Sequence, residues 1–405
     1  MIWEEATASL KENNMGLNSV PSGERIHIGF FGKRNVGKSS LVNKFTNQKL
    51  SVVSDVPGTT TDPVKKAMEI LPLGPVVIID TPGFDDEGAL GALRVEQTKK
   101  VLGECDIAIL AIDPEKGITE TEKELISLFN EKGTKYIEVF TKADIKKADG
   151  LSVSSVTGEG MELLSEKIAS LTKKDGEDKR IVGDILNAGD RVILVMPIDE
   201  SAPKGRIILP QQQVIRDVLE AGAHAICVRD TEYAETIKKS GDVRLVITDS
   251  QVFGKIRKET PESILLTSFS ILMARYKGTL SDAVSGAKML SGLKDGDNVL
   301  ICEACTHKRQ CKDIGTVKLP GWICDFTGKE ISFTHTQGKD FPEDLTPYKL
   351  IIHCGGCMAT EHEMAVRLSA AKRQNVPMTN YGTAIAYMNG ILERSLEALP
   401  EFKEK

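Results

Sequence analysis

The sequence lacks several features that mark specialised classes of protein. It has no apolar run near the roughly 20 residues that a membrane helix needs, and no amino-terminal secretion signal. Its 52 Lys and Arg are outnumbered by 58 Asp and Glu, which argues against nucleic acid as the main partner. Eight cysteines among 405 residues do not predict a disulfide framework. We therefore expect a cytoplasmic protein that binds neither membranes nor nucleic acid.

A phosphate-binding motif is present near the amino terminus. The sequence Gly-Lys-Arg-Asn-Val-Gly-Lys-Ser-Ser lies between an apolar strand, Ile26 to Phe31, and a helix that starts at Leu41. This is a complete Walker A motif in its strand–loop–helix context, where backbone N–H groups cradle phosphates. Lys38 would reach the β- and γ-phosphates, and the Ser39 hydroxyl would bind Mg²⁺. The predicted loop residues are Gly32, Asn35, Val36, Gly37, Lys38, Ser39 and Ser40.

Two further strand ends carry residues that suit a guanine nucleotide. Asp80, after the strand Val76 to Ile79, suits the Mg²⁺ shell, and the Gly83 N–H would sense a γ-phosphate. Thr60 is the best switch threonine by its spacing from Gly58, and would be a second Mg²⁺ ligand. A carboxylate at Asp144 can accept both N–H groups of guanine. The predicted catalytic group is Lys38, Thr60, Asp80 and Gly83, and the predicted base pocket is Thr141, Lys142, Asp144 and Ser155.

Residues Ile26 to Leu171 resemble translation-factor-like GTPases of the Era and tRNA-modification type. The chain departs from that family at Thr141, where asparagine is usual, and at Ser154-Ser155-Val156, where a Ser-Ala pair is usual. Phe84 takes the place of a catalytic glutamine. In related families the absence of this glutamine accompanies potassium-stimulated hydrolysis, in which an asparagine of the phosphate loop binds the ion. The resemblance implies slow, K⁺-dependent GTP hydrolysis with Asn35 as the K⁺ ligand, although Asn35 is also interpretable as an ordinary polar loop residue.

Six of the eight cysteines lie in the carboxyl-terminal third, where they form a second motif. His353-Cys354-Gly355-Gly356-Cys357 follows an apolar run, and Cys305-Thr306-His307 follows the strand Asn298 to Cys302. If these strands are parallel neighbours, both loops leave the same edge of the sheet. Thiolates are ligands for iron–sulfur clusters and zinc. Three cysteines are one short of the usual four for a cubane cluster, so a histidine or an open iron would complete the site; structural zinc and unrelated buried thiols are the alternatives.

The pattern of short apolar runs and helical segments predicts an α/β chain of three domains, a P-loop GTPase domain plus two further α/β modules with parallel sheets. A charged, turn-forming stretch at 173–180 looks like a linker. We predict a helix from Ile264 to Lys277 and a final helix from Thr383 to Leu399. The predicted divisions are a polar tail at 1–23, the GTPase domain at 24–172, a dimerisation or docking domain at 181–262 and a cluster-binding domain at 263–405.

The combination of a GTPase domain, a middle α/β module and the paired cysteine motifs resembles the maturation GTPases of FeFe-hydrogenase over nearly the whole chain. The resemblance implies that Cys305, Cys354 and Cys357 bind a 4Fe-4S cluster, with His307 or His353 as a possible fourth ligand. It also implies a transient diiron precursor as cargo, two radical-SAM maturases and the FeFe-hydrogenase apoenzyme as partners, and a homodimer formed through the middle module. The competing hypothesis is an RNA-modification or ribosome-assembly GTPase with a structural zinc site.

Overall fold

Three β-sheets, each with helices packed against it, organise the chain in the computed structural model. The structure describes residues 22–48, 63–71, 73–84, 98–172, 179–198, 207–304, 314–338, 340–357 and 359–403. Two compact units are separated at residue 172, Met1–Thr172 and Lys173–Lys405. The first holds a five-stranded sheet and the second holds two four-stranded sheets. The predicted fold class, α/β with parallel sheets, is confirmed.

The sheet of the first unit has the strand order β2-β3-β1-β4-β5. Strand β1 pairs in parallel with β3 and β4, so the carboxyl ends of these three strands meet at one edge. β4 is buried along its whole length, as expected for a central strand covered on both faces. The elements are β1 (Ile26–Gly32), α1 (Lys38–Phe45), β2 (Val64–Ile70), β3 (Gly74–Asp80), β4 (Ile107–Ile112), α2 (Glu120–Lys132), β5 (Lys135–Phe140) and α3 (Met161–Thr172).

Helices fix β1 from both faces of this sheet. Phe30 packs with Leu41 of α1 in one core. Phe31, which points to the opposite face, packs against Phe129 of α2 with ring centroids 5.3 Å apart. The carboxyl end of β1 is therefore held in place from two sides, and the phosphate-binding motif begins there.

Strand β2 was not expected from the sequence. Its residues are mostly exposed, and Lys65, Lys66 and Glu69 interrupt any apolar run. It pairs antiparallel with β3 at the edge of the sheet, where charged side chains are common because they discourage pairing with other chains. Neighbouring β3, rather than local propensity, determines this strand.

The second unit begins with a sheet of order β7-β6-β8-β9, parallel throughout. Its core takes in apolar residues of all four strands and of the helices between them. The elements are β6 (Arg191–Val195), α4 (Leu209–Glu220), β7 (His224–Val228), α5 (Tyr233–Lys239), β8 (Leu245–Thr248), α6 (Phe253–Glu259), β9 (Leu265–Ser268) and α7 (Phe269–Tyr276).

The predicted helix from Ile264 to Lys277 is wrong in its first part. Residues Leu265–Ser268 form β9, which pairs with β8, and only then does α7 begin. The predicted boundary at 262/263 would separate β9 and α7 from the sheet to which they belong. A short apolar run cannot be assigned to strand or helix by periodicity alone, and here the available edge of β8 decides.

The third sheet has the order β11-β10-β12-β13 and is also parallel. The predicted final helix is interrupted at Gly390, which has φ 64°, and its second part packs on the middle sheet through Leu392 and Leu396. The elements are α8 (Leu280–Lys288), β10 (Asn298–Glu303), a π-helical turn (Ile314–Lys318), α9 (Leu319–Thr327), β11 (Ser332–Gln337), β12 (Leu350–His353), α10 (Glu361–Arg373), β13 (Met378–Asn380), α11 (Tyr381–Met388) and α12 (Leu392–Leu396).

Parts of three predicted segments lie outside the described residues. They are positions 1–21 of the polar tail, positions 90–97 of a helix that is present at 98–102, and positions 173–178 of the charged linker. Over the described residues, no helix combines the length and apolar character needed to cross a membrane.

Candidate functional site

The phosphate-binding loop leaves β1 at the carboxyl edge of the first sheet. Asn35 and Gly37 have φ of 59° and 92°, so the backbone turns sharply before α1 begins at Lys38. Leu41 N donates to Gly37 O at 2.8 Å and closes the first helical turn. Left-handed residues within such a loop direct backbone N–H groups inward, and the helix start adds partial positive charge. The loop has the form expected for binding phosphate.

Lys38, Ser39 and Asp80 meet beside this loop. Phe30 is the register partner of Asp80, which places the carboxylate next to the start of the loop. The Lys38 ammonium forms a buried ion pair with Asp80 Oδ1, and Ser39 Oγ donates to Asp80 Oδ2 at 3.2 Å. The structure thus brings together the predicted phosphate-binding lysine and two predicted Mg²⁺-binding groups.

The turn after Asp80 packs directly on the phosphate loop. Phe84 N donates to Gly32 O at 3.3 Å, and the Thr81 hydroxyl donates to Phe30 O at 2.7 Å. A Cβ at Gly83 would lie 3.0 Å from Arg34 N, so a larger residue would require the loop to shift slightly. Gly83 therefore lies next to the phosphate loop, whereas Thr60 lies outside the described residues.

Thr141 connects the base-binding end of the sheet to the phosphate loop. Its hydroxyl donates to Val36 O and lies 3.3 Å from Ile112 O, so it spans from β4 to the loop. This contact gives Thr141 a structural role at the position where related GTPases have asparagine. Val36 is buried, Asn35 is exposed, and Ser40 is half-buried in α1.

Two residues near the base pocket have contacts that were not predicted from the sequence. Ser154 is fully buried and donates to Asp144 Oδ1 at 2.5 Å, so it orients this carboxylate. Asp113 follows β4 and accepts from Lys142 Nζ at 2.9 Å. That hydrogen bond lowers the pKa of Asp113. An acidic residue directly after a buried strand was the available signal for Asp113.

The second candidate site lies at the carboxyl edge of the third sheet. β10 and β12 are parallel neighbours, with Cys302 in register with His353, as the convergence of the two cysteine motifs requires. Cys354 Sγ accepts hydrogen bonds from Ala304 N at 3.1 Å and Gly356 N at 3.4 Å. The residue that precedes Cys305 therefore contacts the sulfur of Cys354. Cys305 and His307 themselves lie outside the described residues.

The surroundings of Cys354 have opposing effects on its thiol. Desolvation raises the pKa of Cys354, and the N–H donors of Ala304 and Gly356 act in the opposite direction because they stabilise the thiolate. A metal ion that binds here must displace the proton, and N–H donors directed at a ligating sulfur are typical support for a metal–thiolate centre.

Gly356 is held in a conformation that favours glycine. Its φ is 61°, and a Cβ there would lie 2.9 Å from the sulfur of Met364, while a Cβ at neighbouring Gly355 would meet nothing within 4 Å. Because left-handed backbone costs other residues roughly 1–2 kcal/mol, we expect Gly356→Ala to destabilise the second unit by at least that amount and to reduce metal retention.

Gly355→Ala is the matched control, and we expect it to leave both properties unchanged. The measurements are urea unfolding followed by circular dichroism and iron content after reconstitution with iron and sulfide. Equal behaviour of the two variants would show that the turn geometry described here is not required.

Lys277 supports the cysteine loop from the middle module. It directly follows α7 and is 8% exposed, and its ammonium donates to Gly356 O and, at 2.8 Å, to Ala359 O. Burial lowers the pKa of Lys277, and the neighbouring Cys357 and Cys354 oppose that shift. No local sequence pattern indicates this contact, since 79 residues separate Lys277 from Gly356.

His353 is fully buried and both of its ring nitrogens have partners. Nε2 lies 2.9 Å from Arg367 Nη1, and Nδ1 lies 2.8 Å from Cys354 O. Arginine can only donate, so Nε2 accepts and Nδ1 carries the proton that Cys354 O accepts. Desolvation and the Arg367 charge lower the pKa of His353 to about 3. Both ring nitrogens are engaged in this arrangement, so His353 would have to give up its contact with Arg367 or with Cys354 O to bind a metal.

The donor set near the loop suits a metal–sulfur centre. Cys354 and Cys357 are half-buried residues, backbone N–H groups donate to the Cys354 sulfur, and the Lys277 ammonium binds Gly356 O between them. Within the described ranges there is no group of three or more His, Cys, Asp or Glu residues arranged to hold a metal, because the other predicted ligands fall at 305–313. Cys302 and Cys105 are buried in cores as expected, whereas Cys227 is exposed, contrary to its interpretation as a small buried hydrophobe.

Three family models match the chain. The model described as "50S ribosome-binding GTPase" matches residues 27–142. The model "Hydrogen maturase F dimerization domain" matches residues 181–278, and "Hydrogen maturase F tetramerization domain" matches residues 281–398. The two hydrogen maturase models meet next to Lys277 and together span more than half of the chain.

Curated and structural relatives match mainly the GTPase part. GTPase Der of Wolinella succinogenes is 32% identical over 207 residues, 45% of this chain and 43% of that protein. The tRNA modification GTPase MnmE of a Methylobacterium species is 28% identical over 265 residues, 62% of this chain and 51% of that protein. The chain thus spans about half or less of these relatives. A crystal structure of an Aquifex aeolicus Era variant bound to GDP.AlF4⁻ is 19% identical over 50% of this chain and 92% of that one, with a TM-score of 0.34.

The fold and the phosphate loop define a P-loop GTPase domain joined to two further α/β modules. The two family models of the second unit specify the protein further. The chain belongs to the hydrogen maturase F family.

Proposed function

We propose that this protein is a GTP-hydrolysing scaffold that binds a 4Fe-4S cluster, carries the diiron precursor of the hydrogenase H-cluster and delivers it to FeFe-hydrogenase. The observation that carries the proposal is the hydrogen bond from Ala304 N to Cys354 Sγ at 3.1 Å. Consecutive Cα atoms are about 3.8 Å apart, so Cys305 follows immediately after a residue that already contacts the second cysteine loop. Family membership supports the same role.

Cys305, Cys354 and Cys357 would hold three irons of the cluster, and His307 or His353 would be the ligand of the fourth. When bound, the cluster would offer an exchangeable iron as an attachment point for the diiron unit. The chain itself supplies N–H groups to the Cys354 sulfur and a buried ammonium beside the loop. Both features stabilise negative charge, which a thiolate-bound cluster carries.

In the GTPase domain, Lys38 would exchange its Asp80 partner for the β- and γ-phosphates when nucleotide binds. Asp80 and Ser39, already hydrogen bonded, would then face Mg²⁺ together with Thr60. Asp144, oriented by Ser154, would accept the guanine N–H groups. Gly83 and the phosphate loop would bind the γ-phosphate. We propose that hydrolysis regulates partner exchange, since a typical coupling of about 1–3 kcal/mol changes an affinity roughly 5- to 150-fold.

We expect GTP hydrolysis to be faster in potassium than in sodium buffer of equal ionic strength. Asn35 is exposed in the phosphate loop with a left-handed backbone, so its side-chain oxygen is available to a monovalent cation near the phosphates. Steady-state phosphate release in the two buffers, with Asn35→Ala as the comparison variant, checks this. Equal rates in the two salts would contradict the potassium assignment.

The middle module is proposed to form a homodimer. Among the described strands β7 lies at the edge of its sheet, and its residues His224 and Cys227 are exposed, so a second copy could pair there. Matching models for dimerization and tetramerization domains support self-association. A monomeric mass by light scattering would count against it. Two radical-SAM maturases and the hydrogenase apoenzyme are the proposed partners, and the cytoplasm is the proposed location.

The competing function is an RNA-modification or ribosome-assembly GTPase with structural zinc, favoured by the names of the Der and MnmE relatives and of the first family model. Elemental analysis of anaerobically purified protein distinguishes the two. About four iron and four sulfide per chain support the scaffold, because a cubane cluster has that composition. Colourless protein with stoichiometric zinc would establish the alternative.

A further inference from the structure

Lys277 is a buried cation that contacts the Cys354–Cys357 loop, although Lys277 belongs to the middle module and the loop belongs to the third sheet. It is 8% exposed, and a buried ammonium is costly unless it is paired and hydrogen bonded. Its partners are two backbone carbonyls, Gly356 O and Ala359 O. These two carbonyls lie on either side of Cys357 in the sequence, so one side chain binds the backbone both before and after that cysteine.

Cys354 and Cys357, the two cysteines of this loop, are held by different contacts. Cys354 follows β12 directly, and its sulfur accepts N–H groups from Ala304 and Gly356. Cys357 lies beyond two glycines, where the backbone has the greatest conformational freedom. The Lys277 ammonium restrains this part of the loop by binding the carbonyls before and after Cys357.

Lys277 is itself held firmly. Its N–H donates to Met273 O at 3.0 Å at the end of α7. Two residues earlier, Arg275 pairs with Asp184 at 2.6 Å and with Glu401 at 2.8 Å. Lys277 therefore extends from a helix end that is anchored in the middle module, and it acts on a loop of the third sheet.

We propose that Lys277 is a positioning residue that holds Cys357 for metal binding and places a positive charge beside the cluster, so that it stabilises the reduced cluster. The inference rests on the proposed cluster-binding function. A reduced cluster carries one more negative charge than the oxidised one, so a nearby buried cation favours reduction. Removing the charge should make reduction harder, and removing the hydrogen bonds should loosen the loop.

The test uses the full chain reconstituted with iron and sulfide under anaerobic conditions. Lys277→Met removes the charge and both hydrogen bonds, and Lys277→Arg keeps the charge but changes the geometry. Lys288→Met is the matched control, because Lys288 is an exposed lysine in the last turn of α8. The measurements are the midpoint potential, from redox titration followed by electron paramagnetic resonance, and the rate of iron loss to a chelator.

For Lys277→Met we expect the reduction equilibrium constant to fall about tenfold, a shift of about 59 mV for one electron, and iron loss to accelerate. Lys277→Arg should keep a potential near that of the unsubstituted protein while losing iron faster, and Lys288→Met should change neither property. An unchanged potential and an unchanged rate of iron loss in Lys277→Met would overturn the proposal.

Two further outcomes are distinguishable. If Lys277→Met does not fold, the rate of iron loss from Lys277→Arg tests the positioning role. A rate equal to that of the unsubstituted protein overturns that role, and a faster rate supports it. If the unsubstituted protein takes up no iron and sulfide, the proposed cluster-binding function is wrong. The inference about Lys277 then fails because there is no cluster, and the unsubstituted sample alone shows this.

Discussion

Lys38→Ala is expected to lower GTP hydrolysis by at least about 100-fold, the effect typical of removing one group that stabilises transition-state charge. Lys38 is the buried cation of the phosphate loop and contacts Asp80, so the variant loses the positive charge intended for the β- and γ-phosphates. It also leaves a buried carboxylate without its ion-pair partner. Phosphate release under saturating GTP measures the loss.

The same variant should keep its iron–sulfur cluster. The phosphate loop belongs to the unit Met1–Thr172, whereas Cys354 and Cys357 belong to Lys173–Lys405, which has its own cores. Lys44→Ala is the control, since Lys44 is exposed one turn and a half further along α1. Hydrolysis at the unsubstituted rate in Lys38→Ala would refute the assigned role, and loss of cluster absorption in that variant would refute the separation of the two sites.

Cys354→Ala is expected to remove nearly all bound iron while leaving GTP hydrolysis intact. The sulfur is the acceptor for Ala304 N and Gly356 N, so the substitution removes a metal ligand together with the group that orders both loops. Unsatisfied donors of this kind cost about 1–3 kcal/mol each when they are buried. Iron and sulfide analysis after anaerobic reconstitution measures the outcome.

Cys324→Ala is the matched control for Cys354→Ala. Cys324 is a partly exposed free cysteine on α9 of the same unit, outside the two cysteine motifs. We expect this variant to retain its full iron content. Retention of iron by Cys354→Ala, or its loss from Cys324→Ala, would show that the cluster is bound elsewhere.

The features that local sequence determines were predicted well. A buried apolar strand followed by a glycine-containing loop and a helix has one common arrangement, and the structure shows it at β1 and α1. Strands β10 and β12 were predicted from short apolar runs, and their proximity from the assumption that they are parallel neighbours, which the register of Cys302 with His353 confirms. The strand, loop and helix predictions depend on residues within a few positions of one another, whereas the pairing of β10 with β12 was an assumption about distant segments.

The features that the sequence could not reveal depend on long-range contacts. Lys277 reaches Gly356 from another module, and Arg367 meets His353 only because α10 packs beside β12. His353 was assigned as a possible ligand from its position next to Cys354, yet its ring is occupied by contacts with Arg367 and its neighbour's carbonyl. Periodicity could not distinguish β9 from a helix, because the free edge of β8 determines that strand.

The most direct test of the account is a crystal structure of the iron-loaded protein with iron located by anomalous scattering. We predict a single metal centre in bonding contact with the sulfurs of Cys305, Cys354 and Cys357, and His353 still hydrogen bonded to Arg367. A Cys305 sulfur far from the iron that Cys354 and Cys357 bind would contradict the account.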